Sequence, residues 1–315
     1  NGEKSKYRDW YFIDGFPLKS EWGEIPNFKC FGYYGGMPKL NLKNPEVEKY
    51  ITDVACYWIK ECDIDGWRLD VGDEISHFFW KNFRKEVKAV KKDMLIIGEI
   101  WHYAGDFLEG DEWDTVMNYP FYLNLIDLLA DEKITVSQFV QNLGYLKGRL
   151  HKNCYPLMWN LIDSHDTARF LHLCNDNKKK QHLAAAFQLL LPGMPMIYYG
   201  DEYAMPGAND PDCRRGMYWD EEYQDKEMYE WYKRLIQVRK SHACIVEGEL
   251  AGSVTEDEEG TVVLIRKNGE ETIAMIFNCS SSAKKFNEYT EKYNLLTENT
   301  FDGNVEGFDA AVIVL

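Results

Sequence analysis

No basic cluster occurs anywhere in this 315-residue chain, and Asp plus Glu outnumber Lys plus Arg by 52 to 36, for a formal charge of -16. A surface of that sign repels phosphate backbones and anionic headgroups, which excludes nucleic acid and membrane as main partners. No run of about 18 apolar residues offers a membrane span. No secretory signal peptide opens the chain, whose residues 1–7 read as polar loop, so a natural start upstream is expected and secretion stays open. The eight cysteines, at 30, 56, 62, 154, 174, 213, 244 and 279, form no C-x-x-C pair and no zinc-finger spacing. Reduced thiols in a cytoplasmic protein are the expectation. Gly-x-Gly-x-x-Gly follows no strand-like run, no two histidines stand at H-x-x-x-H spacing, and Ser164 lacks a nucleophile elbow. Dinucleotide, metal and serine chemistry are therefore disfavoured, and neither cofactor nor metal is expected. Internal repeats and low-complexity tracts are absent as well.

What the chain does have is a series of short apolar runs that end in acidic residues. Ile64-Asp65-Gly66-Trp67-Arg68-Leu69 runs to Asp70, Met94-Leu95-Ile96-Ile97-Gly98 to Glu99, and Leu157-Met158-Trp159-Asn160-Leu161-Ile162 leads toward Ser164-His165-Asp166-Thr167. Runs of this length read as buried parallel strands, with three carboxylates placed where they could share one pocket. Between them the period is helical. Asn44 caps a helix that opens on Pro45, with Val47, Ile51, Val54, Ala55 and Trp58 at helical spacing, and further helices are expected over roughly 75–91, 136–150, 179–191 and 222–242. Short strands are expected near 114–118 and at 195–199.

Alternating strands and helices imply an α/β protein with a parallel sheet. Functional residues at the ends of several strands favour a (β/α)8 TIM barrel over an open sheet, with only the later strands in this chain. Residues 1–243 are read as the C-terminal part of that barrel, with 1–44 as an irregular loop or inserted-domain remnant. Residues 244–315 read as a small antiparallel β-sandwich, from the strand-like 261–266, 272–277 and 310–315 and the turn at Asn268-Gly269. A barrel short of its first strands has open edges, so a homodimer or a complementing N-terminal fragment is an expected partner.

The chemistry follows from spacing. Residues two apart on a strand share a face, so Arg68 can hold Asp70 charged and fix its rotamer, as a carboxylate nucleophile requires. Glu99 lies 29 residues later, a plausible single helix-and-strand step around a barrel, which puts it on the neighbouring strand. Two carboxyls about 5 to 5.5 Å apart suit retaining glycoside hydrolysis, with Asp70 attacking and Glu99 donating the proton. The alternative for the first pair is a strand-end salt bridge. Asp166 and His165 could grip sugar hydroxyls, or Asp166 could simply cap the next helix through Thr167 and Ala168.

Together Gly66-Trp67-Arg68-Leu69-Asp70-Val71, Gly98-Glu99-Ile100-Trp101-His102 and Ser164-His165-Asp166-Thr167 resemble three signature regions of the α-amylase superfamily of glycoside hydrolases. Met117-Asn118-Tyr119-Pro120, Met37-Pro38-Lys39-Leu40-Asn41 and Asp210-Pro211-Asp212-Cys213-Arg214-Arg215 further resemble its cyclomaltodextrinase, neopullulanase and maltogenic amylase group. The resemblance implies that Asp70 is the nucleophile, Glu99 the general acid and base, and Asp166 the transition-state stabiliser. It implies that Arg68 orients Asp70, that His165 contacts the sugar beside the scissile bond, and that Trp101 and His102 lie near the acceptor side. Asp212 and Arg215 would bind a terminal glucose, or else form a loop ion pair. The implied substrates are cyclodextrins, maltooligosaccharides or pullulan, cleaved at α-1,4 or α-1,6 bonds. A non-catalytic sugar- or protein-binding module and a transglycosylase or isomerase of the same superfamily are the competing readings. Departures from the group are Gly72-Asp73 for the usual Ala-Asn and Gly216 for a common Pro.

Overall fold

In a computed structural model that describes residues 1–21, 23–151 and 153–315, the backbone divides into two compact units. The first comprises Asn1–Ile100 and Ala104–Val116, the second Trp101–Tyr103 and Met117–Leu315.

In the first unit, the described residues between 1 and 44 form short 3-10 turns and isolated antiparallel bridges, Tyr11 to Leu40, Ile13 to Phe28 and Cys30 to Pro38. Helix α1, Pro45–Cys62, starts where its cap predicts: the Asn44 side chain accepts from the Glu46 N–H, and Pro45 occupies the first turn, where a missing N–H costs nothing. Its buried stripe is narrower than the periodicity suggests, with Val47, Thr52, Ala55 and Ile59 inside and Val54 and Trp58 exposed. Strand β1, Gly66–Leu69, helix α2, His77–Val90, and strands β2, Leu95–Gly98, and β3, Thr115–Val116, follow in order. The three strands form a parallel sheet in the order β1-β2-β3, with Leu69 opposite Gly98 and Gly98 opposite Val116. Helix α2, capped by Ser76, buries Phe79, Trp80, Phe83 and Val87.

The second unit begins with a helix that apolar periodicity does not reveal. Asn118 caps α3, Tyr119–Leu125, which widens into a π turn over Ile126–Ala130. Then come α4, Val136–Arg149, β4, Trp159–Asn160, α5, Phe170–Leu173, α6, Lys178–Leu190, β5, Met194–Pro195, α7, Lys226–Ser241, and α8, Ala243–Glu247. Strands β4 and β5 pair in parallel, and Met117 bridges Trp159 in the same sense. The apolar runs expected as strands over 157–163 and 195–199 pair for only two residues each, because Pro192 and Pro195 and the loop after Asn160 limit the ladder.

Eight further strands complete the chain: β6, Glu249–Glu256, β7, Thr261–Asn268, β8, Glu271–Asn278, β9, Lys284–Lys285, β10, Tyr293–Asn294, β11, Asn299–Thr300, β12, Asn304–Val305, and β13, Asp309–Val314. Six form an antiparallel sheet in the order β11-β10-β13-β8-β7-β6, and β12 pairs with β9. Gly269 takes φ +60° in the tight β7–β8 turn, a conformation that favours glycine. Alternation sorts the sheet's side chains into two cores. Val262, Leu264, Ile273, Met275, Phe277 and Val312 join the large core that contains α6. Val263, Ala274, Ile276, Ala311 and Ile313 face a smaller one closed by Phe286, Tyr289, Phe301 and Val305. The second layer of the expected sandwich is thus mostly turns and the two-stranded β9–β12 ladder.

Candidate active site

Strands β1 and β2 deliver their carboxylates in register. Leu69 faces Gly98, so Asp70 and Glu99 each follow one residue beyond a paired position. Arg68 serves both: its Nη1 donates to Asp70 Oδ1, and its Nη2 lies 3.1 Å from Glu99 Oε2. The Asp70 side chain is 74% exposed whereas that of Glu99 is 5% exposed, so one carboxylate meets solvent and the other is set into the wall. Glu99 is held through its backbone as well, its N–H donating to Leu69 O at 2.9 Å and its carbonyl accepting from the Gly72 N–H at 3.1 Å.

Val71, directly after Asp70, sits at φ +45°. A β-branched residue there costs on the order of 1–3 kcal/mol. The turn aims the Val71 N–H at Glu99 Oε2, 2.9 Å away, a charge-assisted bond that offsets part of the strain. Two glycines allow this packing. A Cβ on Gly72 would lie 2.6 Å from the Trp113 ring, and a Cβ on Gly98 would also run into that ring. Trp113 in turn stacks on Phe107 at 4.1 Å, fixing the ring against which Gly72 and Gly98 pack.

The other predicted residues belong to the second unit. Asp166 does not cap the helix that follows. The Phe170 N–H at the start of α5 donates instead to Asp163 Oδ2 at 2.7 Å, which leaves the Asp166 carboxylate for Arg214 at 3.0 Å and His165 at 3.1 Å. The loop is pinned from below: the Asp166 N–H donates to Ser164 Oγ at 3.2 Å, and Ser164 Oγ meets the Tyr119 hydroxyl at 3.1 Å. Trp101 stacks on that same tyrosine, centroids 4.1 Å apart and planes at 11°. Trp101 and His102 line a cavity of about 400 Å³ together with Tyr103, Tyr145 and Arg149, the last lying 4.0 Å over the Tyr103 ring. Asp212 and Arg215 form a bidentate pair at 2.6 and 2.9 Å, and the Ala208 N–H adds a bond to Asp212 Oδ2 at 2.8 Å. The Arg215 guanidinium holds the Asp212 carboxyl below the usual carboxylate range. A larger cavity of about 1000 Å³, in the first unit, is lined by residues between 20 and 36 and contains none of these side chains.

Structure adds three residues to the sequence-derived set. Arg214 grips Asp166 and also Asp210, at 2.8 Å; the i,i+4 spacing to Asp210 was visible, but the contact across 48 residues was not. Tyr119 supports both Trp101 and Ser164, and Asp163 accepts the Phe170 N–H at the start of α5, next to where the alternative reading placed Asp166 as a cap. Among the described residues no group of three His, Cys, Asp or Glu side chains is arranged to hold a metal, and no helix is long and apolar enough to cross a membrane.

The family model "Alpha amylase, catalytic domain" matches residues 1–225. The chain belongs to the α-amylase family. Within that family it is 45% identical over 283 residues to a cyclomaltodextrinase of Geobacillus thermopakistaniensis, covering 90% of this chain and 48% of that protein. It is 42% identical over 279 residues to an intracellular maltogenic amylase of Bacillus subtilis, covering 88% of this chain and 47% of that one. The solved structure of a cyclomaltodextrinase superposes with a TM-score of 0.93 at 35% identity, covering 99% of this chain and 56% of that chain. The chain thus spans about half the length of the curated relatives it matches. Its fold is that of the α-amylase family's TIM-barrel catalytic domain, followed by an antiparallel β-domain.

Proposed function

We propose that this chain carries the catalytic residues of a retaining α-glucan hydrolase acting on cyclodextrins, maltooligosaccharides or pullulan, at α-1,4 or α-1,6 bonds. The observation that carries the reading is Arg68, which binds two carboxylates at the ends of adjacent parallel strands, one open to solvent and one set into the wall.

Asp70 attacks the anomeric carbon while Glu99 passes its proton to the departing glycosidic oxygen, breaking the C–O bond and leaving a β-linked glycosyl ester on Asp70. Water then attacks the same carbon, Glu99 takes its proton, and the ester opens to a product with the α configuration retained. Asp166 supports the positive charge that develops on the sugar in both steps, and His165 hydrogen-bonds a hydroxyl of the unit beside the scissile bond. Trp101 and His102 meet the acceptor sugars. Asp212 and Arg215 contact a terminal glucose. Support comes from the signature motifs, the family membership and the names of the relatives, one of which is called intracellular and agrees with a cytoplasmic setting. The same reading extends to a second copy of the chain or a complementing N-terminal fragment as partner, tested by the mass of the native assembly.

The deciding experiment is Glu99→Gln on two substrates. Hydrolysis of maltotriose is expected to collapse, while azide, attacking the β-linked ester on Asp70 in place of water, restores turnover of an activated aryl α-glucoside and yields the α-glycosyl azide. Unchanged hydrolysis of maltotriose by that variant would overturn the assignment.

A further inference from the structure

Behind the loop that carries His165 and Asp166 lies a second set of charged side chains, all but sealed from water. Asp163 is 1% exposed, Arg169 0% and Asp201 1%. They bracket the loop, Asp163 two residues before His165 and Arg169 three residues after Asp166. Arg169 Nη1 donates to Asp201 Oδ1 at 3.2 Å and to the Tyr199 carbonyl at 2.8 Å, its guanidinium lies 4.5 Å from the Tyr198 ring, and its own N–H bonds Gly207 O at 3.0 Å. Asp163 Oδ2 accepts from the Phe170 N–H. Gln181 of α6 donates to the Asp201 carbonyl at 3.0 Å.

Four side-chain atoms of Asp163, Arg169 and Asp201 find no hydrogen-bond partner among the described residues, two of them the Nε and Nη2 of Arg169. Asp163 Oδ1 and Asp201 Oδ2 accept from no donor among the described residues, although the two carboxyl groups are within hydrogen-bonding reach of each other. Two facing carboxylates have no hydrogen to share, and with one guanidinium they would bury a net negative charge, which is expensive in an interior. The other groups facing Asp201 do not relieve it: Glu202 is a further acid, and the Tyr232 hydroxyl of α7, kept neutral by burial, makes no hydrogen bond among the described residues.

We propose that Asp163 and Asp201 hold one proton between them at neutral pH, and that the resulting neutral set with Arg169 positions the loop bearing His165 and Asp166. The proton sits on Asp201 Oδ2 and donates to Asp163 Oδ1, which satisfies both leftover oxygens. Asp163 keeps its charge against the Phe170 N–H, and Asp201 Oδ1 stays on Arg169. Burial pushes the Asp163 carboxyl up to about 6 and raises Asp201 well above the usual carboxylate range, with the Asp163 charge adding to the effect on Asp201. These are positioning residues, since they touch the candidate catalytic loop and no reacting atom. The part played by the loop rests on the functional reading above; the shared proton does not.

The test is proton release on unfolding. An unfolded aspartate is ionised above about pH 4, so a proton bound only in the fold makes the unfolding equilibrium constant rise about tenfold per pH unit near neutrality. Between about pH 6.5 and 7.5 the wild-type slope is expected to exceed that of Asp201→Asn by this one proton, and Asp163→Asn is expected to match Asp201→Asn. Equal slopes in wild type and variants would overturn the shared proton. Infrared spectroscopy of the wild-type chain gives a check that needs no variant to fold: a protonated carboxylic acid band at pH 7, whose absence overturns the proposal. For positioning, kcat on maltotriose should follow charge count. Each single Asn variant keeps one carboxylate against Arg169 and loses about threefold or less, whereas Asp163→Asn with Asp201→Asn strands the guanidinium and loses about tenfold or more with little change in KM. Equal kcat losses in single and double variants would overturn the positioning role while leaving the proton result intact.

Discussion

Two clusters of the same formal composition, one arginine against two carboxyl groups, stand at opposite extremes of solvent access. In the first unit Arg68 joins Asp70 and Glu99, and the Asp70 side chain is 74% exposed. In the second unit Arg169 pairs with Asp201, which lies beside Asp163, and neither side chain of the Arg169–Asp201 pair exceeds 1% exposure. Water can solvate the surplus negative charge of the first cluster, which leaves a carboxylate able to react. The second is sealed from bulk solvent, where the proposed shared proton would supply the neutrality and reactivity give way to rigidity. The chain has used one ionic recipe twice, and dielectric decides what each copy does.

The sharpest way to break the comparison is Asp70→Asn. Hydrolysis of maltotriose or cyclodextrin should fall by about 10⁴-fold or more with little change in thermal stability, because an exposed carboxylate contributes chemistry rather than packing. Appreciable residual turnover in a steady-state assay would show that the open cluster is merely structural. Arg169→Met should do the reverse, costing about 3–5 kcal/mol in a denaturant titration by leaving buried carboxyl groups without their cation. Arg68→Met comes next, with kcat reduced by about 100-fold as Asp70 and Glu99 lose their common anchor. Asp212→Asn should have the smallest effect. The Arg215 contact lowers the Asp212 pKa, so its stabilising contribution is present above the unfolded value near 4 and fades as pH falls through the lowered one. A thermal-melt series below about pH 4 should therefore show slightly less acid sensitivity in the variant than in the wild type.

The candidate catalytic motifs were legible because each sits where a short apolar run ends, and α1, α2, α4, α6 and α7 around them follow from periodicity. Strand β6 was not legible. Glu249–Glu256 is exposed or half-exposed along its whole length at the edge of the sheet, so it has no apolar face to announce it. Helix α3 was hidden for another reason: seven residues carry too few turns to establish a period, and Pro120 near its start reads equally well as a loop residue. Within the candidate site, the partnership of Arg68 with Asp70 could be read from a spacing of two on a strand. Arg214 on Asp166 and Asp201 on Asp163 join residues 48 and 38 positions apart, and nothing local in either segment marks the partner. Asp163 was overshadowed by Asp166 because both precede α5, and only the backbone course shows which carboxylate reaches the Phe170 N–H.

The C-terminal sheet has a practical corollary for anyone who would trim this chain. Phe277 of β8 stacks on Phe187 of α6 at 4.2 Å with planes at 10°, and Val262, Leu264, Met275 and Val312 join the same core. Cutting after α8 would peel away one wall of that core and expose the flank of a helix whose residues from Leu183 to Leu190 are all buried. A minimal version ending there is expected to be sticky and protease-sensitive, so the sheet serves as a built-in splint for the helical layer rather than a detachable appendage.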